Sequence, residues 1–118
     1  VATDLYDRSG YGVAYIHGDN QVIYLGSGEA VAYLDGEHAW GFNGAHLGWF
    51  TDGRLYDDHG APVGFTQAVC PVATSAPPST VDRQGLPERA GQGGIPGRPG
   101  FGSMPSQKDL EAFLRKGR

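Results

Sequence analysis

The apolar and polar positions of residues 5–66 repeat in a twelve-residue pattern written four times: Leu5–Ile16, Ile23–Leu34, Ala39–Phe50 and Leu55–Thr66. The copies align without a gap and start 18, 16 and 16 residues apart. Column two is aromatic in each copy (Tyr6, Tyr24, Trp40, Tyr56), and column six is always glycine (Gly10, Gly28, Gly44, Gly60). Column nine is branched aliphatic (Val13, Val31, Leu47, Val63), and column ten is tiny (Ala14, Ala32, Gly48, Gly64). Column eleven is aromatic again (Tyr15, Tyr33, Trp49, Phe65). Agreement of five columns across four copies marks a repeat architecture.

One copy reads as a β-hairpin. Asp7-Arg8-Ser9-Gly10 and Asp57-Asp58-His59-Gly60 place Asp first and Gly fourth, which suits a type I turn followed by a positive-φ residue and a bulge. The segment after the turn alternates, with columns nine and eleven expected on one face and ten and twelve on the other. Recurrent glycine and β-branched residues, with no 3.6-residue period, exclude a helix. Gly18-Asp19-Asn20, Asp35-Gly36 and Asp52-Gly53 are turn signals between copies. A lone hairpin is unstable in water, so four of them must bury faces on one another. The predicted fold is all-β: four hairpin repeats, or eight short antiparallel strands, around a pseudo-four-fold axis, with closure removing open edges. Column ten then permits close approach at the centre, and the aromatics dominate the buried area.

The expected organisation is a repeat body over 1–67, an extended Pro/Gly-rich tail over 68–105 and a short amphipathic C-terminal helix over 106–118. Seven of the eight prolines lie between Ala68 and Pro105. Such chain cannot build its own core and favours polyproline II. At the end, Ser106-Gln107-Lys108-Asp109 resembles a capping box with Ser106 as N-cap. Leu110, Phe113 and Leu114 make one apolar stripe, Arg115 and Lys116 suit the last turn, and Gly117 suits the stop. The predicted helix spans 107–116 and needs a groove, on the body or on a partner.

The repeated VAY segments (Val13-Ala14-Tyr15, Val31-Ala32-Tyr33), the LGWF of Leu47–Phe50 and the final LYDDHGAPVGF resemble the bacterial four-fold beta-flower proteins. The resemblance implies four two-stranded petals around an axis. It implies no activity and no catalytic residues. The third copy departs from the shared start, with Trp40-Gly41-Phe42-Asn43-Gly44.

The chain has 118 residues and a net charge of −4. Residues 1–67 carry nine acidic and two basic side chains, and residues 68–118 carry four acidic and seven basic. An acidic body and a basic tail attract, and an acidic body argues against nucleic acid. A body this small is near the lower limit for one core, which leaves help from the tail or from a second copy open. Cys70 is the one cysteine, so no intrachain disulfide forms, and a reducing, cytoplasmic setting is the expectation. Val1 leaves an upstream segment, including a removed signal peptide, open. No apolar run approaches the roughly 20 residues of a membrane span.

Asp57-Asp58-His59 looks like a metal or acid–base cluster but reads first as a hairpin turn with an exposed histidine, as Asp7 beside Arg8 and Ser9 does in copy one. His38 and His46 lie near the third copy and His17 ends the first, and adjacent strands can bring two of them together, without metal-ligand spacing. Gly26-x-Gly28 and Gly91-Gln92-Gly93-Gly94 lack the strand-to-helix setting of a phosphate loop, and Cys70 has no nearby histidine. No cofactor or metal is predicted. The aromatics carry the preferred reading: Tyr6, Tyr24, Trp40, Tyr56 and Trp49 line grooves that hold a proline-rich segment, the chain's own or a partner's. On this reading the protein is a non-catalytic binding or scaffold module. The alternatives are a small carbohydrate-binding module, or an acid–base or metal-dependent enzyme using Asp57, His59 and His46.

Overall fold

The computed structural model describes residues 2–18, 21–70, 72–74, 85–86, 88–95, 97, 100–102 and 109–117. Eight strands form in chain order. They are β1 (Ala2–Tyr6), β2 (Gly12–His17), β3 (Val22–Leu25), β4 (Ala30–Asp35), β5 (His38–Gly41), β6 (His46–Thr51), β7 (Arg54–Tyr56) and β8 (Pro62–Phe65). Each pairs antiparallel with its neighbours in sequence, and β8 returns to β1, so the sheet is a closed barrel. Closure leaves no edge strand to template aggregation.

The turn chemistry follows the sequence. Gly10, Gly28, Gly44 and Gly60 have φ of 84–90°, a conformation that only glycine takes without a steric cost. The fourth residue of each turn donates back to the first, as in Gly10 N–H to Asp7 O at 3.0 Å and Gly60 N–H to Asp57 O at 3.1 Å. Between copies, Gly36 and Gly53 also turn at positive φ. Asp19 and Asn20 of the first inter-copy turn lie outside the described residues.

One expectation is corrected. Within every hairpin the register slips between columns one and two: Leu5 faces Ala14, while Tyr6 faces Gly12. The same slip follows Ile23, Ala39 and Leu55. The skipped residue is column nine, so the extra residue of the bulge sits there, and the strict alternation expected beyond the turn breaks. Val31, Leu47 and Val63 therefore join Ala14 and Ala32 in one cluster, with Val13 packed against it, while Tyr15 and Tyr33 belong to another. Column nine shares the face of column ten, not that of column eleven.

The first cluster draws residues from all eight strands, including Leu5, Ala14, Ile23, Ala32, Ala39, Leu47, Leu55 and Val63. A contiguous cluster fed by every strand of a closed barrel is its interior. Column one pairs with column ten in each petal: Leu5 with Ala14, Ile23 with Ala32, Ala39 with Gly48, Leu55 with Gly64. A large or medium residue thus faces a tiny one, which lets the strands close around a narrow centre.

The remaining interior is filled by helix α1 (Leu110–Arg115). Leu110 and Leu114 are fully buried and Phe113 nearly so, all three inside the barrel cluster. A six-residue helix is unstable alone, but burying three such side chains contributes roughly 1.5–3 kcal/mol each. The helix begins three residues later than predicted. Its N-cap is Asp109, whose carboxylate accepts from the Ala112 N–H at 3.1 Å; Ser106, the expected cap, lies outside the described residues. All seven tail prolines lie outside them as well, and with them the polyproline expectation.

Candidate functional site

The outer face of the barrel is organised by its aromatics. Column eleven of each copy pairs across the strand boundary with column two of the next: Tyr15 with Tyr24, Tyr33 with Trp40, Trp49 with Tyr56, and Phe65 with Tyr6. Four petals thus meet at four aromatic seams, and cross-strand aromatic pairs of this kind are mutually stabilising. The sequence showed the two columns. It did not show that they pair between copies, since that follows from register.

All eight rings are buried, at most 5% exposed. A carbohydrate stacks on an exposed ring face, and none of these rings offers one. At two seams the covering groups come from the tail. The Phe101 ring stacks on Tyr56 at 4.2 Å and 17°, and meets Trp49 edge-on at 6.0 Å. The Arg89 guanidinium sits 3.8 Å over the Tyr33 ring and 5.8 Å from Phe42. Gln92 Nε2 donates to Tyr33 Oη and to Asp35 Oδ2, each at 3.2 Å. Arg89 and Phe101 were not singled out from the sequence; the signal available was a planar side chain within the Gly-rich tail, flanked by glycines at Phe101.

The tail backbone also meets the petal turns. Ala90 N–H donates to Phe42 O at 2.7 Å and Gly93 N–H to Gly44 O at 2.8 Å. At the fourth petal Gly102 N–H donates to Gly60 O at 3.0 Å. At the first petal a side chain on Gly10 would run into the Ala73 carbonyl and the Val72 side chain, and at the third one on Gly44 would overlap the Gly91 carbonyl. Column six is therefore glycine for two reasons at Gly10 and Gly44: the turn needs positive φ, and the tail passes too close for a Cβ. Described tail segments meet the turns of petals one, three and four in chain order. Arg115 of α1 adds an ion pair to Glu29 at 2.7 Å, an exposed contact of small energetic weight.

The seam between β8 and β1 differs. Only Tyr6 and Phe65 are in register there, because the chain leaves the sheet after Phe65 into a 3-10 turn at Gln67–Val69. Beside it opens a pocket of about 520 Å³, lined among the described residues by Thr3, Asp4, Tyr6, Thr66, Gln67 and Ala68. Burial, followed by the Asp4 and Cys70 charges, raises the Tyr6 phenol above its ordinary value.

Of the predicted acid–base candidates, His46 and His59 line one pocket, together with Asp58, while Asp57 does not join them. Asp57 is buried, and its Oδ1 accepts from the His59 and Ala61 N–H groups at 2.9 and 3.0 Å, a turn role. His59 is exposed. His46 takes Asp58 rather than Asp57, with Nδ1 3.2 Å from Asp58 Oδ1 and Nε2 2.9 Å from His38 Nδ1. Burial, the largest cause, lowers the His46 pKa, the Asp58 hydrogen bond and charge oppose this, and His38 adds to the lowering. The proposed set of Asp57, His59 and His46 is therefore not assembled. Among the described residues no three His, Cys, Asp or Glu side chains converge on a metal position. Cys70 lies 3.7 Å from Asp7 O. No helix among them is long and apolar enough to cross a membrane.

A family model described as "4-fold beta flower protein" matches residues 3–114, nearly the whole chain. No curated protein and no solved structure matches it.

Proposed function

The chain belongs to the 4-fold beta flower family, and we propose that this member is a non-catalytic binding module whose aromatic seams hold an extended peptide, its own tail or the equivalent segment of a partner. The observation that carries the reading is the Phe101 ring stacked at 4.2 Å on Tyr56 and edge-on to Trp49, with the next residue bonded to the petal turn. Each of the two covered seams gives a flat aromatic wall to one planar side chain and a nearby turn carbonyl to a backbone N–H. That division resembles other extended-peptide readers, in which main-chain bonds give affinity and side-chain pockets give selectivity. Tyr56 and Trp49 contact the tail directly, and Tyr33 does so in place of its seam partner Trp40. Tyr6 and Tyr24 are the equivalent walls of the other two seams.

The test uses a synthetic peptide of residues 88–102, titrated by calorimetry into the full chain. Wild type, with its seams filled, takes up little. A chain carrying Arg89→Ala and Phe101→Ala, which weakens the resident tail, binds the peptide saturably. Binding to neither protein sinks the reading.

A further inference from the structure

The third petal breaks the four-fold pattern with two partly buried histidines, His38 and His46. Column eight is Gly12, Ala30 and Pro62 in the other copies, but His46 in the third. The position before each copy is Asp4, Val22 and Arg54, but His38 in the third. The His46 side chain is 2% exposed, edge-on to Trp40 at 5.0 Å and to Trp49 at 4.7 Å. Burying an imidazole where three sister petals use a small apolar residue is costly unless both nitrogens are satisfied. Here both are, by Asp58 and by His38.

These contacts restrict the protons. With both imidazoles neutral, His46 Nδ1–H donates to Asp58, and His46 Nε2 accepts from His38 Nδ1–H. One added proton is tolerated, because one of the two facing nitrogens stays a lone pair. A second puts N–H on both facing nitrogens, and the 2.9 Å contact is then lost. Around the pair stand Asp58 and His59 on the β7–β8 turn and Lys116 after α1. Asp35, with Glu37 in the same turn, lies across the ladder from His38.

The pair is joined to the tail by two routes. Trp49 meets both His46, at 4.7 Å, and Phe101, at 6.0 Å. Asp58 belongs to the turn whose Gly60 O accepts the Gly102 N–H. We propose that Asp58, His46 and His38 form a proton-binding site with room for one proton beyond the neutral pair. A second proton releases the Phe101–Gly102 segment from the seam between petals three and four. The inference rests on the reading of that seam as tail-holding, and makes its occupancy responsive to acid.

Amide hydrogen exchange of the full chain tests it, at about pH 7.5 and about pH 5, either side of the ordinary histidine value of about 6.5. Rates are corrected for intrinsic exchange. Protection of the Gly102 N–H is expected to fall about tenfold on acidification. The Gly93 N–H, bonded to Gly44 O and not to the turn that carries Asp58, holds its protection. His38→Asn keeps a donor toward His46 that does not titrate, and Gly102 stays protected in that variant at both pH values. His59→Gln, outside the relay, titrates as wild type does. A Gly102 amide already unprotected at about pH 7.5 overturns the seam reading itself. A protected amide with no acid loss, an equal loss at Gly93, or an equal loss in His38→Asn overturns the proton site alone.

Discussion

Column ten makes a quantitative prediction, because two of its four members are glycines in different surroundings. Neither Gly48 nor Gly64 has positive φ, so alanine is compatible with both backbones, as it already is at Ala14 and Ala32. An added Cβ at Gly48 would overlap the Tyr56 carbonyl oxygen, and lie 2.9 Å from the Tyr56 carbonyl carbon and 3.2 Å from Asp57 Cα. These are backbone atoms and cannot rotate away. At Gly64 the nearest atom is Leu110 Cδ1 at 3.1 Å, the end of a side chain able to shift. Overpacking costs about 1–3 kcal/mol, and Gly48→Ala belongs at the upper end. Reduced entropy of the unfolded chain returns about 0.4–1 kcal/mol in both variants. The net expectation is a loss of about 2 kcal/mol for Gly48→Ala and less than about 1 kcal/mol for Gly64→Ala. With urea slopes of about 1–3 kcal/mol/M, the Gly48→Ala midpoint falls about 1 M below that of Gly64→Ala. Equal midpoints would refute the close strand approach between β6 and β7.

Three further outcomes follow from the packing and the titration. Leu110→Ala, in the barrel interior at zero exposure, should cost about 2–5 kcal/mol by urea unfolding; a cost under about 1 kcal/mol would mean that the helix does not fill the barrel. Asp57→Ala takes the Oδ1 acceptor from the His59 and Ala61 N–H groups and should cost about 1–2 kcal/mol, with no protection of either amide surviving. The His46 pKa is lowered in the fold, so the native state binds fewer protons than the unfolded chain. Its stabilisation is full above about 6.5 and is lost as pH falls from there through the lowered folded value. The raised Tyr6 phenol acts at the other end, with stability falling as pH rises beyond about 10. His46→Phe should flatten the acid limb of the stability profile and leave the alkaline limb in place.

The repeat was legible because each of its columns has one local cause: glycine at positive φ, aromatic rings at the strand boundary, small residues at the centre. The bulge at column nine was not legible, since alternation and bulged strands share the same residue types and differ only in register. The helix stripe Leu110, Phe113 and Leu114 was legible by spacing, whereas its start was set by Asp109, one of two carboxylate-or-hydroxyl choices in adjacent turns. The tail's docking residues escaped because Arg89 and Phe101 carry no periodicity of their own; their partners Tyr33 and Tyr56 lie 56 and 45 residues earlier and are set by how the chain passes the petals. The His46–Asp58 contact was hidden for a related reason. Asp57 and Asp58 look alike in sequence, and the turn, by taking Asp57 Oδ1, decides which carboxylate is left to meet the histidine.

Whether the tail occupies the aromatic seams is read directly by ring-to-ring nuclear Overhauser effects in the 118-residue chain. Phe101 protons should show strong cross-peaks to Tyr56, weaker ones to Trp49, and upfield shifts from the stacked ring. Random-coil shifts for Phe101 with no cross-peak to either residue would contradict it.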